Sequence, residues 1–294
     1  MFGKRTDLAV EAREIWAESA PETGELPGVR AEEETVSGFP VTTVEITDAR
    51  GEKELCKPIG TYITVGTEPC LRREDNAFST GAQVLARLLR GLLRLKPGDT
   101  VLVAGLGNPA VTPDAVGPLT ARHTLATRHL TASMPEHFAS FRPVSVIETG
   151  VLGTTGVESA ELLKAICGGV APDCVIAVDA LASRSLERVC RTVQLTDTGI
   201  VPGSGVGNSR SALNRTSLGV PVVALGVPTV VDAATLAADL TGMPGKKDGP
   251  AASMIVTPRD IDASVKDMSR LLGYAVNLAL HDGLTVADVD MLVS

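Results

Sequence analysis

Aromatic residues are scarce: five Phe, two Tyr and one Trp in 294 residues. That scarcity excludes a base-stacking platform and an aromatic-rich recognition sandwich as the working surface. A basic excess is missing too. Lys and Arg number 27 against 35 Asp and Glu, a formal net charge of −8. A clamp for a phosphate backbone needs the opposite balance, so no direct nucleic-acid partner is expected. No apolar run reaches the roughly 18–20 residues that cross a bilayer. The stretch from Pro221 to Val231, among the longest, is interrupted by Gly and Pro. Met1 to Arg13 mixes charged and apolar residues and has no secretory h-region, so no membrane association is expected. The cysteines, Cys56, Cys70, Cys167, Cys174 and Cys190, include no CxxC pair. Free thiols in a reducing, cytoplasm-like compartment are expected. His123, His129, His137 and His281 form no zinc-binding pattern.

What is present is Ala, Val, Leu and 29 Gly in a chain long enough to bury its own core. Asp7 to Ser19 can form a helix. From Thr35 apolar residues alternate (Val36, Val41, Val44, Ile46, then Ile59, Tyr62, Ile63, Val65) around a turn cluster at Asp48–Glu52, which predicts an antiparallel hairpin or small sheet over about 35–66. Phe78 to Leu95 has helical spacing. Strands are expected at Thr100–Ala104, Val144–Glu148, Cys174–Val178, Arg191–Leu195 and Val220–Leu225. Helices are expected at Ala115–Arg128, Val157–Cys167 and Asp232–Leu240, from Thr257 to about His281, and from Thr285 onward. Alternating strands and helices predict one α/β domain, its sheet covered by helices on both faces, with an N-terminal hairpin insertion.

In such sheets chemistry sits beyond the carboxyl ends of the strands. After the first parallel strand comes Gly105-Leu106-Gly107-Asn108-Pro109 and then Asp114. Read as a dinucleotide loop this fails, because Pro109 to Pro113 breaks the helix start and position 110 is not glycine. After Cys174–Val178 comes Asp179, an acid at the end of a very apolar run, where desolvation raises a carboxyl pKa. On neighbouring strands the two carboxylates would share a proton. One would act as base on water and the other as acid on the scissile carbonyl or leaving amine. Asp197 stands in an Asp-Thr-Gly triplet, but the pepsin-like reading needs an all-β chain. A ligand-loop or structural role is expected instead. Gly203-Ser204-Gly205-Val206-Gly207 can offer backbone N–H groups to a substrate or oxyanion. Ser204 is not in a nucleophile-elbow register.

Several long blocks carry a resemblance: Arg5-Thr6-Asp7-Leu8-Ala9-Val10-Glu11-Ala12, Lys57-Pro58-Ile59-Gly60-Thr61-Tyr62, Val103–Asn108, Val111–Asp114, Val178–Arg184, Thr196–Asn208 and Gly226–Ala233. Together, over nearly the whole chain, they closely resemble the germination protease family of endospore-forming bacteria. The resemblance implies an endopeptidase that degrades small acid-soluble spore proteins at germination, located in the cytoplasm of the forespore or spore core. It implies a self-cleaving zymogen and a homotetramer. The implied fold is the phosphorylase/hydrolase-like α/β sheet shared with hydrogenase maturation proteases. The family's two essential aspartates fall on Asp114 and Asp179. Its pro-segment ends in the Arg5–Ala9 block, so cleavage is expected between Asp7 and Leu8, with Met1 to Asp7 as a short pro-segment and residues 8–294 as the protease domain. Gly107, Asn108, Ser183, Asp197, Gly205 and Gly207 are expected to contact substrate. No metal or cofactor is expected. Two readings compete. One is a metal-dependent maturation-type endopeptidase on the same fold, with Asp114 and Asp179 as ligands but no clear third. The other is a non-enzymatic binding protein whose Gly-rich loops hold a small ligand. Gly105–Pro109 with Thr127-Arg128-His129 partly resembles peptidyl-tRNA hydrolase, but the rest of the chain does not follow.

Overall fold

The computed structural model describes residues 6–19, 26–207, 210–241 and 254–293. Of the expected pro-segment it covers Thr6 and Asp7; Asn208, at the end of the Thr196–Asn208 block, lies outside the described residues. The strands are β1 Val29–Val36, β2 Phe39–Ile46, β3 Gly60–Gly66, β4 Val101–Leu106, β5 Val144–Gly150, β6 Cys174–Ser183, β7 Thr192–Thr196, β8 Val222–Asp232 and β9 Ile255–Val256. They form one mixed sheet in the order β1-β2-β3-β7-β8-β6-β4-β5, with β9 also on β8. The β5, β4, β6 and β8 ladders are parallel, as the apolar runs predict. The remaining pairings are antiparallel.

The longer helices are α1 Ala9–Ser19, α2 Ala77–Leu93, α3 Ser159–Val170, α4 Ala233–Thr241, α5 Ile261–Leu280 and α6 Val286–Val293. Side chains alternate across the sheet, and each face gains its own core. Val101 and Val103 of β4 and Ile176 and Val178 of β6 pack with α2 and α5. Leu102, Ala104, Val175 and Ala177 pack with Leu163 of α3 on the other face. Each large side chain buried in this way contributes about 1.5–3 kcal/mol.

The N-terminal strands differ from the expectation in an informative way. β1 reads Val-Arg-Ala-Glu-Glu-Glu-Thr-Val and is mostly exposed. It lies at the sheet edge, so neither face is buried enough to select apolar residues. The hairpin turns through Ser37 and Gly38, both at positive φ, the primed turn that suits strand twist. The Asp48–Glu52 cluster is not a turn: Ala49–Leu55 is a short helix, capped by the Asp48 carboxylate accepting from the N–H groups of Arg50 and Gly51. These strands do not form a separate small sheet. β3 pairs with β7 and so extends the central one.

Three other boundaries move. The expected helix at Ala115–Arg128 is two pieces, Val116–Arg122 and Arg128–Ser133. The Thr257 hydroxyl donates to the carbonyl of Thr229, and Asp260 takes the position before α5 instead. Most important for the site, β6 and β8 continue past Val178 and Leu225 to Ser183 and Asp232. Asp179 therefore lies within a strand, not in a loop after one.

Candidate active site

β4 connects to β5 on one side, while β6 leads toward β7 and β8 on the other. The switch point of the parallel ladders thus falls between the hydrogen-bonded neighbours β4 and β6. Ligand crevices open at such points. Two glycines shape this one. A Cβ on Gly117 would lie 2.2 Å from the carbonyl oxygen of Leu106 and 2.4 Å from that of Val178. The helix Val116–Arg122 therefore rests directly on the backbones of β4 and β6. Gly107 has φ +111°, and a Cβ there would fall 2.1 Å from the carbonyl oxygen of Asp114. The β4 loop can therefore fold back over the strand ends, carrying Asp114 on the short Thr112–Asp114 turn.

Asp179 follows Val175 and Ala177 in the row facing α3 and is 5% exposed. Its Oδ1 accepts the N–H of Ala180 at 2.9 Å. Burial pushes its carboxyl well above the ordinary range, and the charges of Asp114 and Asp7 push it further. Burial also raises Asp114, opposed by the Asn108 N–H, which donates to its Oδ2 at 2.8 Å. Both aspartates line one cavity of about 440 Å³, together with Gly107 and Asn108. At its rim Arg210 pairs with Glu158 at 3.5 Å. Two aspartates so placed can share one proton and one charge, the requirement for acid and base work on the same water.

Asp7 enters this cavity from the N-terminal segment. β4 pairing stops at Val178, so β6 from Asp179 onward keeps only β8 as a strand partner. The N–H of Asp7 donates to the Ala182 carbonyl at 2.9 Å, and its Oδ2 accepts the Ala182 N–H at 2.9 Å. Its Oδ1 accepts from the Ser204 hydroxyl. Gly205 leaves room for that carboxylate, because a Cβ would lie 2.2 Å from Oδ2. The Asp7 carbonyl accepts twice, from Lys57 Nζ at 2.9 Å and Gln194 Nε2 at 3.1 Å. Gln194 Oε1 accepts the Ala9 N–H at 2.8 Å, and the Leu8 N–H donates to Thr6 Oγ1 at 3.0 Å. Four residues on, the fully buried Glu11 accepts from the N–H groups of Arg184 and Ser185 and pairs with Arg188 at 3.1 Å.

Of the residues singled out from sequence, Gly107, Asn108, Asp114, Asp179 and Asp7 meet at this cavity, and Gly205 abuts Asp7. Ser183 is fully buried, its hydroxyl donating to the Ser185 carbonyl. Asp197 accepts the Thr61 N–H and so ties the β7 end to β3. Gly207, at φ +73°, closes the short Ser204–Val206 turn. Among the described residues no group of three or more His, Cys, Asp or Glu is placed to hold a metal ion. Sequence reasoning did not find Lys57, Gln194 or Glu11. Gln194 offered a weak signal, as the one amide inside the short apolar strand Thr192–Thr196.

A family model described as germination protease matches residues 9–243. Germination protease of Caldanaerobacter subterraneus subsp. tengcongensis is 42% identical, the alignment covering 100% of this chain and 99% of the relative. That of Clostridium perfringens is 39% identical with 100% of both chains covered, and that of Oceanobacillus iheyensis is 36% identical with 97% and 96% covered. Among solved structures, the [NiFe] hydrogenase maturation protease HycI from Thermococcus kodakarensis KOD1 is similar at a TM-score of 0.37 and 17% identity, over 64% of this chain and 98% of that one. At that distance the likeness says nothing of the site. The family model and the near full-length relatives together decide the matter: this chain belongs to the germination protease family, hydrolases that act as endopeptidases in spore germination.

Proposed function

We propose that Asp114 and Asp179 carry the hydrolysis, and that the chain first cuts itself between Asp7 and Leu8. The observation that carries this reading is the shared cavity at the β4–β6 switch point, where burial raises both carboxyls and the charge of Asp114 raises Asp179 further. The ionised member takes a proton from water as that water adds to the scissile carbonyl carbon. The neutral member supplies the proton the products need. Asp7 seated in the same cavity supports self-cleavage, since a bond cut in its own chain must first reach the site. Family membership supports small acid-soluble spore proteins as the substrate, a homotetramer as the working form and the spore core as the location. The parallel β5-β4-β6-β8 core with helices on both faces supports the phosphorylase/hydrolase-like fold.

Asp114→Asn and Asp179→Asn each keep the shape of the side chain and remove the acid–base function. Both are expected to abolish cleavage of spore protein and the appearance of a Leu8 N-terminus by intact mass, with circular dichroism unchanged. Cleavage by both variants at the wild-type rate would overturn the assignment. A chelator arm separates the metal-dependent reading: activity lost with phenanthroline and restored by one divalent ion would replace the aspartate pair as the source of the activated water.

A further inference from the structure

The Asp7 carbonyl has two side-chain donors, and neither belongs to the aspartate pair. Lys57 reaches it from the loop before β3, and Gln194 from β7. Gln194 pairs with Gly226 in register, and Gly226 with Asp179. Gln194 and Asp179 therefore project from the same face of the sheet, separated by one strand. Gln194 also grips the Ala9 N–H, so a single side chain fixes the peptide on both sides of Leu8. Leu8 and Ala9 are fully buried. The bond is thus held in one orientation, its oxygen toward a cation and an amide.

We propose that Lys57 and Gln194 form the oxyanion-stabilising site for cleavage of the Asp7–Leu8 bond. The proposal rests on the reading of that bond as the one cut by the Asp114/Asp179 pair. Water adds to the Asp7 carbonyl carbon and gives a proton to the ionised aspartate. The carbonyl π electrons move to oxygen, where the Lys57 ammonium and the Gln194 amide hold the charge. As the C–N bond breaks, its electron pair goes to the Leu8 nitrogen, which takes the proton of the neutral aspartate. The products are a carboxyl group on Asp7 and an amine on Leu8. With the oxygen served by Lys57 and Gln194, the acid of the pair is left for the leaving nitrogen. Donors fixed before reaction act strongly in a water-poor site, because nothing need reorganise as charge develops. Burial lowers the proton affinity of Lys57, while Asp7 and Glu11 beside it favour its charged form.

The test uses the full chain. Intact mass follows the first-order appearance of the Leu8 N-terminus, and amide hydrogen exchange reports whether Leu8, Ala9 and α1 stay docked. Lys57→Met is expected to slow cleavage by about 100-fold or more with exchange unchanged, and Lys57→Arg to recover part of the rate. Gln194→Glu keeps the acceptor for Ala9 and removes the donor to Asp7, so it serves as an independent variant and is also expected to slow cleavage. Wild-type rates in both Lys57→Met and Gln194→Glu overturn the proposal. So does a loss of rate that appears only with loss of amide protection, which marks a holding role. If Asp179→Asn stops cleavage while Lys57→Met does not, this proposal falls and the aspartate pair stands. If the wild-type chain never exposes Leu8, both fall together.

Discussion

Asp179 holds its proton where an exposed aspartate would have lost it, and that has a cost in stability as well as a use in chemistry. Its folded pKa lies above the ordinary 3.8, so the folded state binds this proton more tightly than the unfolded chain does. Stability from this group is full below about 4 and is lost as pH rises through the raised value. Asp179→Asn cannot ionise. It is expected to melt above wild type at pH 7, with the gap closing as pH approaches 4, by differential scanning calorimetry. An equal gap at both pH values would show that burial of charge at Asp179 is not the cause. The two aspartates were legible in the sequence because each follows an apolar run, near the place where α/β sheets put chemistry. Lys57 and Gln194 were not. They act on the Asp7 carbonyl across 50 and 187 positions of chain, and no local pattern encodes a contact made by folding.

At the scale of single elements, α1 is held to the sheet by a buried acid as well as by its apolar side. Glu11 is fully buried against Arg188 and two backbone N–H groups, and Glu14 shares the same guanidinium at 2.6 Å. Removing one partner of a buried pair leaves the other groups short of their acceptor. Glu11→Gln is expected to weaken docking of α1 by on the order of 3 kcal/mol. Faster amide exchange in Ala9–Ser19, with the central strands still protected, would show it; unchanged exchange would assign the docking to Leu8 and Ala9 instead. The helical spacing of Ala77–Leu93 and the apolar runs of β4 and β6 were readable because burial selects one period and one composition. The extensions of β6 and β8 were not, since the apolar runs stop at Val178 and Leu225, before Asp179 and Gly226, although the neighbouring ladders carry the backbone on. The helix at Ala49–Leu55 was missed for a related reason. Asp48 and Gly51 are turn formers in isolation, and only the Asp48 cap shows that the cluster opens a helix.

The whole molecule is one sheet with two unlike edges. β5 ends the parallel side, and β1 ends the antiparallel side with Glu32, Glu33 and Glu34 in succession. Among the described residues β1 pairs only with β2, so its outer edge presents a row of free backbone groups. Charged side chains there oppose pairing with another sheet. Replacing Glu32 and Glu34 by Thr is expected to raise light scattering on concentration with little change in melting temperature, while unchanged scattering would locate the protection elsewhere. The acidic balance that first excluded nucleic-acid clamps thus has one structural address. The same glutamates leave β1 without apolar alternation.

Asp7 stands where two cavities meet. The cavity of the aspartates and a second of about 250 Å³, lined by Lys57 and Gln194, share Asp7 and Leu181 in their linings. An endopeptidase needs a passage open at both ends, because the polypeptide it cuts continues in both directions. Departure of Asp7 would free the space it fills between the two and widen the way from Lys57 to Asp114, with Leu181 left as their common lining. On that reading the cut at Leu8 changes the kind of guest the protein can admit, from one that ends inside to one that runs through.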